Sequence, residues 1–168
     1  MAITYSFIAS SSLTVATQYV TFSSIPSTYS DLVIRASHKC TTASYMDILF
    51  NATSSTLYNS ASIIRNGQSV SFVRDNNLTL FERMTYAGGQ GTNTFTNTEI
   101  YIPNYVSSIR KAVWAYSAPE DNQTDPGYLM ASIGFFNDTS VISTIRLGNS
   151  AQNFEAGSNF WLYGIKRS

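Results

Sequence analysis

Charge is scarce in this chain of 168 residues. Asp, Glu, Lys and Arg together make up 12% of it, about half the usual share. Ten basic residues balance ten acidic ones, so the formal net charge is zero. A nucleic-acid binder carries a basic footprint, and none is present. Low net charge also gives little colloidal repulsion, which suits a chain that works inside an assembly. Cysteine occurs once, at Cys40, which excludes an intrachain disulfide framework and a thiolate zinc cluster. Histidine also occurs once, so a Ser–His–Asp triad could rest only on His38. No G-x-S-x-G elbow surrounds any serine. No apolar run approaches the ~18–20 residues of a membrane-spanning helix. The opening "MAITYSFIASSSLTVA" lacks the basic and apolar regions of a signal peptide. The expectation is a soluble chain made in a reducing cytoplasm, with no membrane, nucleic-acid or cofactor partner.

Ser, Thr and Asn supply the polarity instead. Hydroxyl and amide side chains suit strands and turns better than helix surfaces. Aromatics reach 14%, with 11 Tyr and 10 Phe, which also favours sheet. Period two dominates the pattern. Leu32, Ile34 and Ala36 oppose Val33, Arg35 and Ser37. Met46, Ile48 and Phe50 alternate with Asp47 and Leu49, and Ile100 and Ile102 with Glu99 and Tyr101. Val113 and Ala115 oppose Trp114 and Tyr116, and Val141, Ser143, Ile145 and Leu147 oppose Ile142, Thr144 and Arg146. Such alternation marks half-buried strands. Strand-like runs fall near 3–9, 13–16, 18–23, 31–37, 45–51, 60–65, 69–73, 78–84, 98–102, 111–117, 128–136, 140–147 and 159–166, some of them merging. Asn66-Gly67 between two such runs is a strong hairpin signal. The segments 74–77, 87–93, 119–127 and 136–138 read as loops. Pro26, Pro103, Pro119 and Pro126 fall at strand ends or in loops. A short turn is expected within 54–62, and no segment shows a sustained helical period. The reading is one all-β domain over 1–168, an antiparallel β-sandwich of jelly-roll type.

Motifs for chemistry are thin. "SHKC" at 37–40 pairs His38 with Cys40, but a zinc site needs further ligands, and a strand end followed by a loop accounts for it. Asp47 and Glu99 share outward parity and could face each other as a carboxylate pair; an exposed cross-strand charge facing Arg or Lys is the commoner explanation for each. "EDNQTD" at 120–125 lacks the glycine and distal Glu of a calcium loop. "AGGQG" at 87–91 has no Lys-Ser/Thr and opens no helix, so it is no phosphate cradle. Four Asn-x-Thr triplets are expected by chance in so Asn- and Thr-rich a chain. Aromatics in polar surroundings are more suggestive: Tyr86, Phe95, Tyr105, Trp114, Tyr116 and Tyr128 could be core, stack on sugar rings, or fill a protein interface.

Three stretches carry a resemblance. "YVTFSSIPSTYSDLVIRAS" (19–37) holds V-T-F-x-x-I-P-x-x-Y-x-D-L, "NTFTNTEIYIPNYVSS" (93–108) holds E-x-Y-I-P-x-Y, and "FWLYGIKRS" (160–168) holds L-Y-G-I-K. In order and spacing the chain resembles a family of small virion structural proteins of tailed phages, including marine and cyanobacterial ones. The resemblance implies a non-enzymatic virion protein, made in the host cytoplasm and built into the particle. The role it suggests first is decoration or cement on the capsid exterior, bound to the major capsid protein or other virion proteins. A tail-fibre or tail-tip head that binds host surface glycan is the alternative, and a carbohydrate-active enzyme the third reading. Trimers are common among such proteins, so a homotrimer is expected. In "NFWLYGIKRS", Phe160, Leu162 and Gly164 share one face, and Trp161, Tyr163 and Ile165 the other. Both faces are apolar, which predicts burial on both sides. Trp161, Tyr163, Ile165, Lys166 and Arg167 are therefore the expected subunit contact. Tyr86, Phe95, Trp114, Tyr116 and Tyr128 are the expected exposed aromatic binding surface.

Overall fold

The structure is a computed structural model that describes residues 4–88, 94–120, 127–148 and 151–166. The described residues form β1 (Thr4–Ser12), β2 (Tyr19–Phe22), β3 (Asp31–His38), β4 (Tyr45–Phe50), β5 (Tyr58–Asn66) and β6 (Ser69–Leu78). They continue with β7 (Phe81–Tyr86), β8 (Thr96–Ile102), β9 (Lys111–Pro119), β10 (Leu129–Phe136), β11 (Ile145–Gly148) and β12 (Asn159–Lys166). None of them is helical.

Two antiparallel sheets pack into a β-sandwich. The large sheet has eight strands in the order β1-β12-β3-β8-β9-β10-β5-β6, and the small sheet has four, β2-β11-β4-β7. The chain crosses from one sheet to the other at each step from β1 to β5, from β6 to β8, and from β10 to β12. Between these crossings the hairpins β5–β6 and β9–β10 widen the large sheet beyond β8.

The period-two pattern explains the layers. Leu32 and Ile34 of β3, Ile100 and Ile102 of β8, and Phe160 and Leu162 of β12 are fully buried between the sheets. Met46, Ile48 and Phe50 of β4 meet them from the small sheet, with Ile145 and Leu147 of β11. Aromatic edges fill the far end: Tyr58 lies 4.9 Å from Phe81 and 4.8 Å from Phe136, ring centre to ring centre. Under β7 the large sheet turns inward small hydroxyls instead. Ser62 donates to the Arg83 carbonyl, and Ser117 accepts from the Tyr86 N–H. Side chains of the large sheet thus satisfy backbone groups of β7 that no strand pairs.

Several elements differ from expectation; residues 74–77, read as a loop, continue β6 through its register shift. Residues 13–16 form no strand; Leu13 donates to the Ser158 carbonyl and Thr17 bridges Phe154 across a crossover. Residues 54–62 enter β5 at Tyr58 rather than holding a turn throughout. The run 140–147 is a strand only from Ile145. The Asn51 amide occupies its first part: Oδ1 accepts from Ser143 N and Thr144 N, and Nδ2 donates to the Val141 carbonyl. The hairpin sits one residue later than Asn66-Gly67 suggests. Asn66 pairs with Ser69, which leaves Gly67 and Gln68 as the turn. Gly67 takes the positive φ of 57° that this turn needs at its first position. The loops at 87–93 and 119–127 lie largely outside the described residues.

Candidate functional site

The back of the large sheet, facing away from the small one, carries the unusual chemistry. Residues in register across neighbouring strands form rows on this face. One row runs Phe7, Tyr163, Val33, Tyr101, Trp114, Ile133, Ala61, Arg74. The next runs Ser10, Trp161, Arg35, Glu99, Tyr116, Ala131, Ile63, Phe72. Tyr5, Leu129, Phe135 and Val70 flank these rows.

Much of this surface is open. Phe72 is 78% exposed, Phe7 60%, Tyr116 52% and Trp114 40%. Ile63, Val70, Leu129, Ile133, Phe135 and Tyr5 are exposed as well. At about 150–250 Å² for a whole aromatic side chain, these ten residues together expose roughly 1,000 Å², most of it apolar, on either side of the Arg35–Glu99 pair. The largest apolar patch of a typical monomer is about 300–600 Å².

The face has two chemically distinct halves. Across β1, β12, β3, β8 and β9 it is aromatic and ordered. Tyr101 stacks on Trp114 at 5.5 Å with an 8° interplanar angle, and Phe7 meets Tyr163 edge-on at 6.1 Å. Arg35 Nε donates to Glu99 Oε2 at 2.9 Å, and its guanidinium lies 5.6 Å from the Tyr5 ring centre. The pair sits in register between Trp161 and Tyr116. Across β10, β5 and β6 the face is mainly aliphatic, with Leu129, Ile133, Ile63 and Val70 beside Phe72 and Phe135, and its charges are Arg65 and Arg74. A trough of about 900 Å³ crosses the boundary, walled by Trp161 and Tyr163 at one end and Ile63, Val70 and Leu129 at the other. A second hollow of about 420 Å³ lies beside it, between Trp114, Tyr116, Ile133, Ile63 and Phe72.

The sequence-predicted residues divide accordingly. Trp161 and Tyr163 lie on this face, half-buried, and Lys166 is exposed near its end. Ile165 is buried at 5% exposure, in register between Tyr5 and Asp31, so it is not an open contact. Arg167 lies outside the described residues. Trp114 and Tyr116 are exposed and adjacent on β9. Tyr86 is not a surface platform: it is 3% exposed, stacked on Tyr128 at 4.2 Å and met edge-on by Tyr45. Tyr128 is half-buried by the same stack. Phe95 is half-buried beside Gly157, away from Trp114. Tyr105 is fully buried, and its hydroxyl donates to the Pro26 carbonyl. Sequence reasoning overlooked Phe72, Ile63, Ile133, Phe135 and Leu129. The signal was present in "LMASIGFF", where outward Leu129, Ile133 and Phe135 are bulkier than inward Ser132 and Gly134.

The chemical candidates separate. Asp47 is on the small sheet and Glu99 on the large one, so they do not form a pair. Asp47 accepts from Arg83 N at 3.0 Å, and burial pushes its carboxyl up to about 6. His38 ends β3 fully buried, stacked on Phe160 and edge-on to Phe154. Its Nε2 lies 3.0 Å from Thr98 Oγ1, and burial pulls its pKa down to about 3. Burial, then the Glu155 carboxylate, pushes the Cys40 thiol up to about 12, far from a reactive thiolate. Among the described residues, no group of three or more His, Cys, Asp and Glu side chains could hold a metal ion. They contain no helix long and apolar enough to cross a membrane. Compared with protein-family models and with curated proteins, the chain matches none.

Proposed function

We propose that this chain is a non-enzymatic virion structural protein of a tailed phage, a capsid decoration protein that docks through the outer face of its large sheet. The observation that carries this reading is the roughly 1,000 Å² of exposed, mostly apolar surface gathered on that face. A standard protein–protein interface covers about 800 Å² on each partner. Burying such a surface against the capsid shell returns it to the environment its composition favours. The alternation of strands between sheets, with two hairpins added, supports a jelly-roll reading of the sandwich. The three motifs that resemble the virion family supply the direction toward phage.

The second reading keeps the virion and moves the site. Trp161 and Tyr116 flank the Arg35–Glu99 pair in the trough. Aromatic faces beside hydrogen-bonding charges are the chemistry that holds a sugar, and a tail-tip module would use it on host glycan. Hydrolysis of that glycan would need two carboxylates flanking the bond. Among the described residues the trough is lined by one, Glu99.

The test is rebinding. Particles lacking this protein are mixed with the purified chain or with an Ile133→Ser, Trp114→Ser double variant. Decoration predicts that the parent co-sediments with heads and the folded variant does not. Equal binding of both would remove this face from the docking account.

A further inference from the structure

We propose that two copies of this chain join edge to edge along β6, antiparallel about a twofold axis at Phe72, so that their large sheets continue as one. The inference goes beyond the virion reading and holds wherever the assembly is located. It begins from the sheet edges. An edge strand exposes unpaired backbone groups to any other chain, and proteins guard such edges by shortening, bulging or covering them. Three of the four edges here are guarded. β2 is four residues long. β1 shifts register between Phe7 and Ala9. β7 has backbone groups taken by the side chains of Ser62, Ser117 and Asp47.

In β6 such devices are confined to its C-terminal end, where the register shifts between Asp75 and Leu78 and Asn77 N donates to Asn59 Oδ1. The strand is ten residues long, with neither proline nor lysine. Its pairing to β5 is unbroken from Ser69 to Asp75, and no strand lies beyond it among the described residues. Phe72, the most exposed of the large hydrophobic side chains described, stands at the middle of that regular stretch.

Charge selects the register. Asp75 is held by Arg83 Nη2 at 2.6 Å, which leaves Arg74 as the charge that a second copy must accommodate. Centring the twofold on Arg74 would set two guanidiniums face to face, which destabilises a strand pair. Centring it on Phe72 sets the two Phe72 rings together and lays each Arg74 stem against the second copy's Val70. Each guanidinium then falls diagonally beside the second copy's Phe72 ring, a favourable cation–π position. Such a contact is smaller than the ~800 Å² per partner of a standard interface, so the dimer is reversible. It also sets two outer faces side by side, which strengthens docking to a repeating lattice without new contacts.

Sedimentation velocity on the purified full chain, over a series of concentrations, tests the pairing. The parent should shift from monomer to twice that mass. Phe72→Lys should remain monomeric throughout, with an unchanged circular dichroism spectrum and melting temperature. Phe72→Cys should form an intermolecular disulfide on mild oxidation, because directly opposed strand residues lie within disulfide reach. Phe7→Cys on the opposite edge should not, and buried Cys40 stays reduced in both. A parent that is monomeric at every concentration, or trimeric, would overturn the proposal. So would a Phe72→Lys protein that dimerises as its parent does, or cross-linking through Phe7→Cys instead of Phe72→Cys. A monomer that still decorates virions would sink the edge pairing alone and leave the virion reading standing.

Discussion

Gly164, in the "LYGIK" motif, is expected to be intolerant of even one methyl group. A Cβ built there would lie 2.2 Å from Cγ of Tyr29 and 2.5 Å from each Cδ, whereas carbon atoms settle at about 3.5–4.0 Å. The ring of Tyr29 lies flat on the glycine, half-buried against the core, with Lys166 Nζ 5.7 Å from its centre. Gly164 does not have a positive φ, so alanine suits the backbone and by itself would stabilise by about 0.4–1 kcal/mol through the unfolded chain. The overlap outweighs this, because inserting a methyl into a packed site costs about 1–3 kcal/mol. Gly164→Ala should therefore lower stability by roughly 1–3 kcal/mol, and the melting temperature by about 2–4 °C for each kcal/mol. Urea unfolding of four proteins checks the cause: parent, Gly164→Ala, Tyr29→Ala and the double variant. With Tyr29 cut back, Gly164→Ala should be neutral or slightly stabilising. A neutral single variant, or a double variant whose losses simply add, would refute the claim that the glycine is there to seat the ring.

Two further outcomes follow from buried groups and backbone strain. His38 takes up a proton near 6.5 when unfolded but only near 3 when folded, so its contribution is full above pH 6.5 and lost as pH falls toward 3. Asp47 has the opposite sign: its folded value near 6 exceeds 3.8, so its contribution is full below 3.8 and lost as pH rises through 6. Across pH 4–6 the two oppose each other, so Asp47→Asn should make stability rise with pH more steeply than in the parent, by at most about 1.4 kcal/mol per unit; urea midpoints at several pH values would show parallel curves if this is wrong. Asn51 and Ala52 both have φ of 52° in the turn closed by Thr53 N to the Phe50 carbonyl. Left-handed alanine is strained by about 1–2 kcal/mol, and Ala52 is exposed, so Ala52→Gly should raise stability by roughly 0.5–1 kcal/mol, read as a higher melting temperature.

The sheets were legible because burial on one side leaves a period of two. β3, β4, β8, β9 and β10 fall close to where alternation placed them. Errors arose where backbone groups are satisfied by side chains instead of neighbouring strands. Asn51 holds residues 141–144 out of strand pairing, and no local pattern there signals a distant amide. The candidate surface was half-legible. Two apolar parities in 159–166 pointed to Trp161 and Tyr163, yet the same logic applied to 129–136 and 69–73 points to Ile133, Phe135 and Phe72. Loop aromatics misled because composition cannot distinguish Tyr86, stacked on Tyr128 inside a small core, from Tyr116, exposed on a strand. Nor does strand parity alone reveal which sheet a strand joins, and so Asp47 and Glu99 seemed able to meet.

The central claim is that this protein belongs to a phage particle and covers its head. Antibody-gold labelling of intact virions with serum against the purified chain tests it most directly. The account predicts gold over the whole head. Gold confined to the tail or its tip would contradict decoration and favour the glycan trough, and particles free of gold would contradict exposure on the virion altogether.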